Sequence, residues 1–175
     1  MRAPPAVSLE GLRILQRTQL RKIPFENLDI LLGRGIDPSR SAIVAKTVAK
    51  RRGGYCFEVN ELLFAALEAF GFQARRALAR VHLSGRPGPH THQLSLVAID
   101  GQNYLADAGF GGQSPRGPLP LVLDAVTEID FKRYRLVLAA PYGTMLQDWW
   151  QGAWRNLYSF DGRYEDLKPL NPRPP

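Results

Sequence analysis

The 175-residue sequence predicts an α+β fold, a helical bundle over residues 1–72 followed by a mainly antiparallel β-rich domain over residues 73–175. Three observations carry this. Apolar residues recur at helical spacing up to Gly71, the period then changes to two, and glycine- and proline-rich loops separate the later segments. With 45% hydrophobic residues, the chain can bury one compact core or two small ones sharing an interface.

In order along the chain, "SLEGLRILQRTQLRK" places Leu9, Leu12, Leu15, Gln16 and Gln19/Leu20 on one helical face behind Ser8 as N-cap, and Ile23-Pro24 ends the run. A second helix is expected from Ser39 or Ser41 to Lys50, with Ile43, Val44, Thr47 and Val48 inward. A third starts at about Cys56, buries Leu62, Leu63, Ala66, Leu67 and Phe70, and stops at Gly71, a suitable C′ residue. Beyond it, "ARRALARVHL" and "THQLSLVAID" read as strands, and Asp100-Gly101 before "QNYLADAGF" reads as a hairpin turn. "FKRYRLVLAAP" and "WRNLYSFD" are further strands, "RPGPH" and "GGQSPRGPLP" are loops, and the tail "NPRPP" is expected to fray.

Charged residues interrupt every apolar run before membrane-spanning length, and the start has no signal-peptide core, so the expected location is the cytoplasm without membrane association. A single cysteine allows no internal disulfide and suits a reducing compartment. The net charge of +7 favours anionic partners, including phosphate-bearing small molecules. Its basic residues are scattered, with no recognition-helix or zinc pattern, so neither nucleic-acid binding nor a metal is expected.

The lone cysteine lies in "RRGGYCFEVN" at the start of the third helix. A helix start offers unpaired N–H groups and the positive end of the helix dipole, a setting that suits a nucleophile. The preceding Gly53 and Gly54 let a ligand or neighbouring backbone approach closely. A small apolar residue packing the helix start is the more ordinary reading of a lone cysteine, so partners decide. A cysteine nucleophile needs a base and an orienting group. Of His82, His90 and His92, His92 is held best, sharing a strand face with Leu94, Leu96 and Ala98. A two-residue turn at Asp100-Gly101 sets Ile99 opposite Gln102 and Asp107 opposite Leu94, one diagonal from His92 on the same face. Asp107 can then orient the imidazole.

Four motifs in order, "IPFENLDI", "RRGGYCFEVN", "HQLSLV" and "YLADAGFGG", resemble those of the arylamine N-acetyltransferases, over about Leu9 to Asn171. The resemblance implies a β-barrel-like second domain and a cysteine-protease-like Cys-His-Asp core. It also implies acetyl transfer from acetyl-CoA, through an acetyl-cysteine, to an arylamine or arylhydrazine nitrogen. Cys56 would be the nucleophile, with its N–H as an oxyanion donor, His92 the base, and Asp107 the group fixing the His92 tautomer. By the same resemblance Arg52 and Glu26 form a supporting ion pair, Phe25 and Phe110 line the acceptor pocket, and Gly109 and Gly111 meet the CoA thioester.

Two departures bear on function. The family's short helical segment before the position of Leu9 is absent or altered, and its third, lid-like domain beyond the position of Asn171 is missing. Activity impaired by truncation is therefore expected, unless a third-domain polypeptide is supplied. An inactive remnant, a subunit dependent on a partner or self-associating through an uncovered cleft, and an amide synthase acting on a carrier-bound acyl chain are alternatives. A thiol protease or transglutaminase shares the Cys-His-Asp logic, but their local signatures are absent from this sequence.

Overall fold

A computed structural model of the chain describes residues 5–161; the tail read as frayed lies outside them. Helix α1 is Leu9–Lys22, and the Ser8 hydroxyl caps it by accepting from the Gly11 N–H at 3.1 Å. It stops before Pro24, which cannot continue the hydrogen-bond ladder. Short α2 (Leu28–Leu31) and α3 (Arg40–Val44) follow, and α3 runs directly into a π-helical turn, Ala45–Ala49. Helix α4 is Cys56–Ala69, so the cysteine is its first residue, and Gly71 at φ +82° terminates it as only glycine does without strain.

Eight strands follow: β1 Gln73–Val81, β2 His90–Ile99, β3 Gln102–Ala106, β4 Leu119–Pro120, β5 Val126–Ile129, β6 Lys132–Leu138, β7 Thr144–Trp150 and β8 Ala153–Phe160. They form one antiparallel sheet in the order β4-β3-β2-β1-β8-β7-β6-β5. The sheet curls until Leu123, just past β4, bridges Leu136 on β6, which leaves a nearly closed barrel. Strand alternation fills its two faces differently. Leu94, Leu96, Leu105, Tyr134, Leu146 and Tyr158 pack inside the barrel. Val97, Ile99 and Ala106 point outward and meet Leu12 of α1 and Val59, Leu63 and Leu67 of α4.

The turn expected at Asp100-Gly101 is present, both residues at positive φ (50° and 76°), and it sets Ile99 opposite Gln102 and Ser95 opposite Ala106. Three inward residues read from periodicity are instead exposed. Val44 (43%) and Val48 (56%) face solvent because the buried stripe is narrower than the apolar pattern and holds only Ile43 and Thr47, each one residue round the helix from them. Phe70 (36%) is the C-cap of α4, past the part of the helix that the sheet covers. Strands β5 and β7 escape a periodicity reading, one being four residues long and the other, "TMLQDWW", lacking clean alternation. Among the described residues no helix is long and apolar enough to cross a membrane.

Ahead of α4 the chain makes a parallel bridge between Phe25 and Gly54, with the Glu26 N–H donating to Gly54 O (2.9 Å) and the Gly54 N–H to Pro24 O (3.2 Å). Of the two approaches that the glycine pair permits, this is the neighbouring-backbone one. A Cβ on Gly53 would lie 2.2 Å from Pro24 O, an overlap that only backbone movement could relieve. Gly53→Ala should therefore cost about 2–3 kcal/mol in urea unfolding. Gly112→Ala, where an added Cβ meets nothing within 4 Å, should cost much less; equal losses would show that the bridge does not constrain the α4 start.

Candidate active site

Cys56 opens α4, where the N–H groups of the first turn have no intrahelical acceptor. Its position is secured by a partly buried charge network. Glu58 accepts from the Tyr55 N–H (3.1 Å) and from Lys46 Nζ (2.9 Å to each oxygen). Lys46 also reaches Asp29 (2.8 Å), and Arg52 joins Asp29 (2.9 Å) to Glu26 (2.6 Å). The Lys46 and Arg52 hydrogen bonds hold the Asp29 carboxyl down at about 2. Arg52 and Glu26 thus meet as a pair inside a five-residue network that links α2, the π-helical turn and α4. Half-buried Cys56 turns its thiol toward β2 and donates to Thr91 O at 3.4 Å.

The next residue on β2, His92, is buried and faces the barrel interior. Its Nε2 lies 2.8 Å from Asp107 Oδ2, which leaves Nδ1 as the nitrogen for the Cys56 side. Asp107 follows β3 on the His92 face, as the Ile99–Gln102 register requires. It is fully buried, and its second oxygen accepts from Asn60 Nδ2 (2.9 Å) and the Gly109 N–H (2.8 Å). Asn60 also donates to Gln93 O and accepts from the Ala108 N–H (2.9 Å), so one side chain on α4 ties β2 to the Asp107 segment. The His92 ring is enclosed by Phe110 (centroids 4.9 Å) and Tyr158 (5.0 Å). The Tyr158 hydroxyl is buried near Asp107 without completing a hydrogen bond, and burial followed by that carboxylate raises its pKa well above the ordinary value.

The electrostatics follow from this enclosure. Burial alone would keep His92 neutral, but the Asp107 charge and hydrogen bond, with a further contribution from Cys56, push it up to about 10. Burial likewise opposes ionisation of Asp107, yet His92 first, then Asn60 and the Gly109 N–H, hold it below the ordinary carboxylate value. Near neutral pH the pair is an imidazolium against a carboxylate, beside the Cys56 sulfur. Such an array can deliver a sulfur nucleophile and move one proton at His92 Nδ1.

Cys56, His92 and Asp107 are brought together. Phe110 packs on His92, whereas Phe25 is 46% exposed at the surface beside Gly111, whose added Cβ would lie 3.7 Å from the Phe25 ring. At Gly109 an added Cβ would meet Asn60 Nδ2 at 2.6 Å and Cys56 O at 2.8 Å, so this glycine lets the Asp107 segment press against α4. Gly111 adopts φ +60°. Sequence reasoning missed Asn60, Tyr158 and the Lys46–Asp29–Glu58 part of the network. Asn60 carries a signal, since it lies four residues after Cys56, on the same helical face, in an apolar run. Tyr158 carries none beyond strand alternation. Among the described residues no group of three or more His, Cys, Asp or Glu side chains is arranged to hold a metal.

A family model described as N-acetyltransferase matches residues 8–171. The arylamine N-acetyltransferase of Escherichia coli K12 is 40% identical over 158 residues, which cover 89% of this chain and 56% of that protein. The chain therefore spans about half the length of the curated relatives that it matches. Among solved structures, arylamine N-acetyltransferase from Salmonella typhimurium superimposes with a TM-score of 0.90 at 37% identity, over 94% of this chain and 61% of that one. The Mycobacterium marinum enzyme in complex with CoA does so with a TM-score of 0.87 at 35% identity, over 94% and 63%.

Two measurements test the array. By NMR, the His92 ring should show no titration near 6.5 and should keep its imidazolium signature to about pH 10. In Asp107→Asn its pKa should fall well below that, because burial is then opposed only by the Cys56 contribution. A raised histidine pKa stabilises the fold fully below the unfolded value near 6.5, and that contribution is lost as pH rises through about 10. Separately, Cys56 should react with iodoacetamide faster than an unfolded cysteine peptide at neutral pH, and His92→Gln or Asp107→Asn should slow it several-fold or more. Variants that circular dichroism shows to be folded, yet that react like the parent, would remove His92 and Asp107 from the site.

Proposed function

Since the chain belongs to the arylamine N-acetyltransferase family, we propose that Cys56 takes an acetyl group from acetyl-CoA and passes it to an arylamine or arylhydrazine nitrogen. The observation that carries this reading is the continuous array of Cys56, His92 and Asp107, with His92 Nε2 engaged at 2.8 Å and its proton affinity raised. The Cys56 sulfur attacks the thioester carbonyl as the thiolate, and the oxyanion forms beside the Cys56 N–H. The carbon–sulfur bond to CoA then breaks, and CoA leaves with the proton held on His92. Acetylation removes the negative partner of the imidazolium, which makes that proton easier to release. In the second half-reaction the neutral His92 takes a proton from the attacking nitrogen, the acetyl–Cys56 bond breaks, and the thiolate–imidazolium pair returns. Asp107 keeps Nε2 protonated throughout, so the exchanging proton stays on Nδ1, facing sulfur.

The remaining assignments rest on the same reading. Phe110 lines the acceptor side next to His92, Phe25 lies at its outer edge, and Gly111 keeps the loop bare for the thioester, whereas the space at Gly109 is taken up by Asn60 and Cys56 O. Arg52 and Glu26 support the α4 start and do not touch substrate. A single cysteine kept as a free thiol supports a cytoplasmic location.

Intact-mass analysis separates the chemistry from CoA binding. A small activated ester such as p-nitrophenyl acetate needs only the nucleophile and its base, whereas acetyl-CoA must also be immobilised as a long, charged, flexible ligand. The 175-residue chain should gain one acetyl group from p-nitrophenyl acetate, mapped to Cys56 and removed by an added arylamine. Acetylation absent from the native chain, or equal in Cys56→Ser, would sink the proposal. The same measurement with acetyl-CoA reads donor use directly.

A further inference from the structure

Helix α1 reaches the Asp107 segment through one side chain. Gln16 is fully buried, and its Nε2 donates to Asp107 O at 3.0 Å and to Pro115 O at 2.7 Å. One amide group therefore fastens both ends of the loop Asp107–Pro115. The orientation of that amide is settled by its partners, because two carbonyls can be met only by the NH2 side. Its Oε1 is consequently buried without a partner, a penalty incurred in seating the two donors on the loop. Inside the loop, the Phe110 N–H donates to Ser114 Oγ at 2.6 Å, and the Phe110 ring lies on His92. The loop thus carries both the carboxylate that charges His92 and the ring that walls it, with α1 closing the loop from outside.

We propose that Gln16 is a positioning residue: by holding the two ends of the Asp107–Pro115 loop it keeps Asp107 aimed at His92 Nε2 and Phe110 packed on the imidazole. The proposal rests on the reading of Cys56, His92 and Asp107 as the reacting set. The distinguishing comparison is Gln16→Met, which keeps length and apolar packing but removes both donors, against Leu12→Ala. Leu12 lies on the same helix in the helix–sheet core that also holds Ala108 of the loop, so Leu12→Ala reads the loss of packing without loss of the two hydrogen bonds. Both variants lose stability, whereas Gln16→Met alone should slow iodoacetamide alkylation of Cys56 by roughly tenfold, the scale on which supporting partners act. It alone should also lower the His92 pKa read by NMR. If the two variants, matched for stability by urea unfolding, change both readouts equally, Gln16 is merely structural and the proposal fails.

Should Gln16→Met not fold, hydrogen exchange in the unsubstituted chain decides. The Gln16 side-chain N–H protons and the Phe110 backbone N–H should exchange at a common rate, and a Gln16 amide exchanging far faster than Phe110 would overturn the clamp. Neither readout uses acetyl transfer. Normal clamp behaviour without acetyl-Cys56 would sink the proposed reaction alone, and acetylation with an inert Gln16→Met would sink the clamp alone.

Discussion

The site depends on the buried carboxylate of Asp107. A fully buried ionised group is tolerated only when each oxygen is engaged. Those engagements come from different parts of the chain: His92 on β2, Asn60 on α4 and the Gly109 N–H of its own loop. Removing any of them leaves charge unsatisfied inside protein, so Asp107 acts as a joint between the helices and the barrel. The constraint also explains the packing at Gly109, where no Cβ fits between Asp107 and α4. With both Asp107 oxygens occupied and its own charge fixed, His92 has one nitrogen left to exchange a proton, and that nitrogen is on the thiol side.

A second, partly buried set of charges does for Cys56 what these bonds do for His92. Lys46 and Arg52 are shared among Glu26, Asp29 and Glu58, and Glu58 also accepts the Tyr55 N–H immediately before the cysteine. Because the acids outnumber the bases, neither cation is left unpaired, and the depressed pKa of Asp29 records how strongly it is held. The network stops short of the thiol itself. It fixes the first turn of α4 from behind, while the Phe25–Gly54 bridge fixes the approaching backbone. Cys56 therefore stands on a helix start and His92 on a strand, a more exact placement than loops would give.

Much of this is legible in the residues. The Asp100-Gly101 pair demands a two-residue turn, and the turn dictates by counting that Asp107 comes to the face of His92, one diagonal away. Ser8, Pro24 and Gly71 mark their helix ends by local chemistry. Val44 and Val48 defeat a periodicity reading because the apolar pattern of "AIVAKTVAK" marks a wider stripe than the one the fold buries, which holds only Ile43 and Thr47. Asn60 stands in plain view at four residues from Cys56, but an asparagine within an apolar helix declares its purpose only when its partners are known.

What the sequence by itself determined are the features set by neighbours along the chain: element type, helix ends, the hairpin register, and hence the meeting of His92 with Asp107, 15 residues apart. What only the tertiary structure decided are the contacts that cross the fold. Gln16 meets carbonyls 91 and 99 residues away, Asn60 meets Asp107 at a separation of 47, and Tyr158 closes on His92 only because β8 pairs with β1 across the curled sheet. The physical reason is that backbone propensity and turn geometry act over a few residues. Burial of a charge is instead a property of the assembled interior, and only there do its distant partners have positions.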